Sequence, residues 1–222
     1  MMINTVLFDL DGTLADTAPD LAYALNLLLS HKGQAPLAFE QIRPVVSHGG
    51  RALIELGFGL SPDDVGYEDL RQEFLQIYLQ NLARETRLFP GMEDLLKTLE
   101  QKQMRWGVVT NKPSWLTDPL MQALNLHKRA ATIISGDTAA RAKPFPDPIL
   151  LACEQTQSTV EQCIYLGDAE RDVQAAKAAN MSTMVCLFGY IGEHEHPREW
   201  AADIYVEQVA DIYPAIQAWG HH

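Results

Sequence analysis

The sequence is short of basic residues: 17 Lys and Arg stand against 29 Asp and Glu among 222 residues, a formal charge of -12. That balance opposes nonspecific binding to nucleic acid or to an anionic membrane. It also repels an anionic substrate at long range, so any anion site has to be built locally from a few basic groups and a metal. Cysteine is scarce too, with only Cys153, Cys163 and Cys186 and no C-x-x-C pair. An odd count without that spacing argues against a disulfide framework or a zinc site and reads as buried reduced thiols. Long hydrophobic runs are missing: the most apolar patch, residues 21–29, is too short and too polar to span a bilayer and lacks the flanks of a signal peptide. A cytoplasmic location is the resulting expectation. Repeats and low-complexity tracts are also missing, and 47% hydrophobic with 21% charged residues is the composition of a folded globular chain.

What is present begins with an apolar run, Val6-Leu7-Phe8, that feeds into Asp9-Leu10-Asp11-Gly12-Thr13. Apolar residues bounded by a Gly turn read as a buried strand ending in a loop, so two carboxylates reach the rim of a sheet. Neighbouring carboxylates need a counter-charge, and a divalent cation is the natural candidate.

Beyond this strand the chain changes style. Residues 16–87 carry helical patterning, with Leu21, Ala24, Leu25 and Leu28 on one face and Leu70, Phe74, Ile77 and Tyr78 on another. Pro19 suits a first helical turn and Gly33 the position just past a helix end. From Pro90 onward helices and strands alternate. The strands are Trp106-Gly107-Val108-Val109, Thr132-Ile133-Ile134, Cys163-Ile164-Tyr165-Leu166, Met184-Val185-Cys186-Leu187 and Ile204-Tyr205-Val206. Alternation of this kind predicts an α/β fold: a doubly wound parallel-sheet core over residues 1–15 and 88–222, with residues 16–87 inserted as an all-helical cap.

In such a sheet, ligands bind beyond the carboxyl ends of the strands. Asp9 and Asp11, then Thr110-Asn111, then Lys143-Pro144, then Gly167-Asp168 with Asp172 close behind, all follow strands or lie in the loops between them. This order, D-x-D-x-T, Thr, Lys and G-D-x-x-x-D, resembles the haloacid dehalogenase superfamily along the whole chain. The resemblance implies a phosphatase in which Asp9 is the nucleophile and forms an aspartyl-phosphate, while Asp11 is the general acid and base. It further implies Mg²⁺ held by Asp9, Asp168 and the backbone carbonyl of Asp11, with Asp172 behind them orienting the coordination waters. Thr110 and Asn111 would donate to the transferring phosphoryl group, and Lys143 would supply a point charge. The fourth motif departs from many relatives in having Ala169 where they carry Ser or Asp. An Asp in the first turn of a helix also complements the macrodipole, which is the plain alternative for Asp172.

Within the insert, Ser47-His48-Gly49-Gly50-Arg51 breaks the helical pattern and ends on an arginine suited to a carboxylate. A surface salt bridge is the other reading of Arg51. These residues, with Thr110-Asn111-Lys112-Pro113 and Lys143-Pro144, are similar to the phosphoglycolate phosphatase group. His48-Gly49-Gly50-Arg51-Ala52, Leu88-Phe89-Pro90-Gly91-Met92 and Gly189-Tyr190-Ile191 look closer to the N-acetylmuramic acid 6-phosphate phosphatases of cell-wall recycling. The expected partner is therefore a small phosphate ester that also carries a carboxylate.

Competing readings are a phosphomutase using the same aspartyl-phosphate and a non-enzymatic phospho-acceptor module; a dehalogenase fits the acidic fourth motif less well. His194-Glu195-His196 lacks the H-E-x-x-H spacing of a zinc site and reads as a polar loop. Trp106 and Tyr165 read as core, while Lys112 reads either as a phosphate-steering group or as a solvated lysine. His221 and His222 are either native or a tag remnant.

Overall fold

Val6, Leu7 and Phe8 are fully buried, which explains why strand β1 (Thr5–Phe8) shows an unbroken apolar run: both faces of the sheet are covered at its centre. The computed structural model describes residues 2–219, so His221 and His222 lie outside the described residues. After β1 the chain turns through residues 9–14 into β2 (Ala15–Asp16), which pairs antiparallel with β3 (Arg87–Leu88), Ala15 opposite Leu88 and Asp16 opposite Arg87. Between these two short strands run the helices α1 (Ala18–His31), α2 (Phe39–Ile42), α3 (Gly49–Phe58) and α4 (Tyr67–Gln80).

The helical periodicity is realised as expected. Leu21, Ala24, Leu25 and Leu28 of α1 are buried, as are Phe74, Ile77 and Tyr78 of α4, with Leu70 partly so. Pro19 lies in the first turn of α1, and Gly33 follows its end with φ +72°. The buried Asp20 carboxylate accepts hydrogen bonds from the Glu85 and Thr86 amides, the latter at 2.9 Å, and from Thr86 Oγ1 at 2.8 Å. It thereby fastens the start of α1 to the returning chain just before β3.

The rest of the chain supplies α5 (Met92–Gln101), β4 (Arg105–Val109), α6 (Ser114–Ala123), β5 (Ile133–Ile134), α7 (Asp147–Thr156), β6 (Cys163–Gly167), α8 (Glu170–Ala178), β7 (Ser182–Cys186), β8 (Ile204–Val206) and α9 (Ile212–Trp219). The large sheet runs β5-β4-β1-β6-β7-β8 with all its pairings parallel. Side chains alternate between its faces: Val6, Phe8, Val108, Ile164 and Leu166 join one buried cluster, and Leu7, Val109, Cys163 and Tyr165 the other. No helix among the described residues is long and apolar enough to cross a membrane.

Strand order reverses at β1, whose neighbours are β4 on one side and β6 on the other. Phe8 is in register with both Val108 and Leu166. β1 ends there and β4 and β6 run one residue further, to Val109 and Gly167, so the three following loops open side by side into the crevice where such sheets bind ligands.

Candidate active site

Asp9 follows β1, and its carboxylate is buried, with Oδ1 accepting from the Leu10 amide at 2.7 Å. Asp168 follows β6 and is also buried; it accepts from Thr13 Oγ1 at 3.2 Å, Ser47 Oγ at 2.6 Å and the Tyr190 amide at 2.8 Å. Asp172, in the first turn of α8, accepts from the Ala169 amide at 3.0 Å through Oδ2. One oxygen from each of these three acids lies within 4.8 Å of the others. Glycine makes the close approach possible: Gly12 has φ +84°, and a Cβ there would collide with the Asp168 carboxylate.

Lys143 is the counter-charge. Its Nζ lies 3.0 Å from Asp9 Oδ1 and 2.8 Å from Asp172 Oδ1, and it donates to Val109 O at 2.9 Å and to Tyr165 Oη at 2.7 Å. The Asp172 contact lies off the hydrogen-bonding direction, which leaves Asp172 Oδ1 buried with no hydrogen-bond partner. Arg171 is the second cation, facing Asp172, Asp9 and Asp168. Three carboxylates against two cations leave an excess of negative charge in a low-dielectric setting. Burial therefore raises the Asp9 carboxyl, Lys143 opposing and Asp172 adding to the effect. Burial also pushes Asp168 up to about 7, reinforced by Asp9 and Asp172.

The remaining expected site residues fall into two groups. Asp11 and Thr110 line the same cavity of about 310 Å³ as Asp9. The Asp11 carboxylate accepts from Thr17 Oγ1 at 2.6 Å and pairs with Lys112 Nζ at 2.8 Å. Arg51 stands exposed on the cavity rim, and neighbouring Arg71 pairs with Glu68 at 3.0 Å. Asn111 also lines the cavity, and its side chain pins the lysine loop: its Nδ2 donates to Lys143 O at 2.9 Å and its Oδ1 accepts from Lys143 N at 3.0 Å. The second N–H of that amide is left over for another acceptor. Asp172 stands close to Asp9 and Asp168 in the same buried cluster.

Residues 6–186 match the haloacid dehalogenase-like hydrolase family. The chain belongs to that family. It is 43% identical to a phosphoglycolate phosphatase of Xanthomonas campestris pv. campestris over 97% of both chains. It is 37% identical to an N-acetylmuramic acid 6-phosphate phosphatase of Pseudomonas putida over 98% of both. Among solved structures, a predicted phosphoglycolate phosphatase from Haemophilus somnus superposes with a TM-score of 0.85 at 22% identity, covering 97% of this chain and 98% of that one, a likeness of fold.

Three residues of this hydrolase escape a reading of its sequence. Lys112 is neither solvated nor free: its side chain is nearly buried, ion-paired to Asp11, and lies 4.8 Å from the Tyr78 ring centre. Tyr165 is core, as its strand pattern predicts, but its hydroxyl also reaches Lys143 and donates to Val109 O at 2.7 Å. Arg171 carried a signal that was available. A cation in the first turn of a helix opposes the macrodipole, so Arg171 at the start of α8 requires anions nearby. The loop at residues 194–196 is irregular as expected, with Glu195 accepting from the Gly192 amide at 2.7 Å.

Proposed function

We propose that this hydrolase is a phosphomonoesterase that cleaves its ester in two steps through Asp9. The observation that carries this reading is the buried cluster of Asp9, Asp168 and Asp172 against Lys143, at the edge of a cavity that also receives Asp11 and Thr110. Asp9 attacks phosphorus, forming an aspartyl-phosphate as the ester oxygen leaves, and Asp11 gives that oxygen its proton. Asp11 then takes a proton from water, whose oxygen attacks the same phosphorus and frees Asp9 and inorganic phosphate. Lys112 and Thr17 keep the Asp11 carboxylate oriented for both transfers. Thr110 and Lys143 offer donors and charge to the phosphoryl oxygens.

The donor set suits a hard divalent cation. The ligands are oxygens, they lie within 4.8 Å of one another, and the cluster carries surplus negative charge. We assign Mg²⁺ to Asp9, Asp168 and the Asp11 carbonyl, with Asp172 beside them. When bound, it offsets the charge that builds on the transferring group.

Proton linkage gives a test of that assignment which needs no turnover. Asp168 ionises near its ordinary value of 3.8 when unfolded and at about 7 when folded. The folded protein therefore binds more protons between those limits, and metal-free stability falls as pH rises through them, by at most about 4 kcal/mol from this group. The melting temperature in a chelator is expected to drop between roughly pH 4 and 7, and added Mg²⁺ to raise it more at the upper end. A Mg²⁺ effect that does not grow with pH removes these acids as its ligands.

The named relatives support a substrate bearing a carboxylate as well as a phosphate, and Arg51 on the rim is our candidate for reading it. The cavity of about 310 Å³ has room for a sugar-sized ester such as N-acetylmuramic acid 6-phosphate as well as for 2-phosphoglycolate. Arg51→Ala is expected to raise KM roughly tenfold or more for the carboxylate esters and much less for neutral sugar phosphates. An equal rise for both refutes the assignment. Phosphate release with Mg²⁺ across those substrates tests the whole proposal, with free phosphate expected and fastest from a carboxylate ester. Isomerised sugar phosphate without free phosphate, or a stable phosphoprotein without turnover, overturns it. We place the reaction in the cytoplasm, in keeping with three buried, free cysteines.

A further inference from the structure

The 3-10 turn Arg43–His48 is the part of the helical segment that meets the reaction cluster. Arg43 donates to Phe188 O and Gly189 O, each at 3.2 Å, and Ser47 Oγ donates to Asp168 Oδ2 at 2.6 Å. His48 Nε2 lies 3.7 Å from Glu195 Oε1. From the opposite side, Arg171 Nη2 donates to the backbone carbonyl of Ser47. The chain continues directly from this turn into Gly49, Gly50 and Arg51, which line the cavity.

Arg171 sits beside Asp172 in the first turn of α8 and lines the cavity with Asp9, where the nearby acids strengthen its hold on its proton. Its planar fork reaches from there to the main chain of the turn that leads into Arg51. A carbonyl is a specific acceptor but carries no net charge, so the acids alone do not account for the direction of this bond. A lysine offers one compact ammonium in place of the fork and cannot satisfy both sides in the same way.

We propose that Arg171 is a positioning residue for substrate selection: it locks the Ser47–Arg51 turn against the acid cluster, and so sets where Arg51 meets the far end of the substrate. The inference rests on the phosphatase reading and on Arg51 as the group that meets the carboxylate. Arg171 lies between Asp168 and Asp172 in the fourth motif at a position the motif leaves open, and from there it reaches the helical segment.

Two variants test the lock. Arg171→Lys keeps a cation beside the acids and removes the fork, and Arg171→Gln removes the charge, with thermal melting showing that each is folded. Hydrogen exchange over residues 43–51 is expected to speed up about tenfold or more in Arg171→Lys, as follows from losing a hydrogen bond to a charged donor. In steady-state kinetics, KM for N-acetylmuramic acid 6-phosphate or 2-phosphoglycolate is expected to rise roughly tenfold more than KM for a neutral sugar phosphate. Combined with Arg51→Ala, the second substitution should add little to that difference in KM, because both act on one contact.

Unchanged exchange over residues 43–51 overturns the lock. Faster exchange with equal losses on both classes of ester reduces Arg171 to a structural role and overturns it as a selector. Absence of phosphate release from the unsubstituted protein on every ester would instead sink the phosphatase reading, and the exchange measurement would still decide the contact.

Discussion

Asp9→Asn is expected to lower phosphate release at least about ten-thousandfold while leaving the fold intact. The neutral amide oxygen lacks the carboxylate's negative charge and forms no stable acyl phosphate, so the first bond to phosphorus is lost and the second step has nothing to hydrolyse. The fold survives for a separate reason. An amide oxygen can still accept from the Leu10 amide, as Asp9 Oδ1 does at 2.7 Å, and the substitution removes a buried acid whose ionised form burial disfavours. In a chelator the variant's melting temperature should match or exceed that of the parent protein. Because slow deamidation regenerates Asp, residual activity has to be read beside intact mass. Substantial turnover in a sample free of Asp9 would eliminate the covalent route.

Lys143→Met should damage both stability and rate. The ammonium is buried, 3.0 Å from Asp9 and 2.8 Å from Asp172, and removing one partner of a buried ion pair leaves uncompensated charge, at about 3–5 kcal/mol. For a chain of this size that corresponds to a melting temperature roughly 10 °C lower. Asp9 is already raised by burial, and without the lysine its raised range extends further upward. The deficit should therefore shrink as pH falls and the acids protonate, and widen as pH rises. Turnover should fall by about a hundredfold or more, the scale expected when a preorganised charge is withdrawn from a developing anion. Lower stability with undiminished kcat would leave Lys143 a purely structural counter-ion.

How far the site was legible depends on whether local pattern fixes a residue's surroundings. Asp9 follows an apolar strand and Asp168 another, and a strand in a parallel sheet can present its next residue only at the sheet's edge. The helices of residues 16–87 were equally readable, because a buried stripe at helical spacing has few alternatives. Lys143 was different. It lies in a loop without periodicity, and its burial depends on Asn111, thirty-two positions away, bonding both faces of its peptide chain. The pair of hydrogen bonds from Asn111 to the lysine loop was equally hidden, because its residue type suggests phosphate binding and says nothing of a backbone partner. Lys112 sits in a polar run that reads as exposed, and only the contacts with Asp11 and Tyr78 draw it inward. What the sequence leaves hidden here is long-range partnership between polar groups, since polar side chains carry no period of their own.

The antiparallel pair formed by β2 and β3 has a further consequence. The chain leaves for the helical segment at Asp16 and returns at Arg87, and these two residues face each other on one rung of a ribbon. Joining the two ends directly would require little more than a tight hairpin, so the intervening polypeptide can lengthen, shrink or be exchanged with little loop-closure penalty to the sheet. Under the proposed function, chemistry and substrate choice can therefore evolve on separate schedules, the first preserved beside the strand ends while the second is rewritten by a graft at a single doorway.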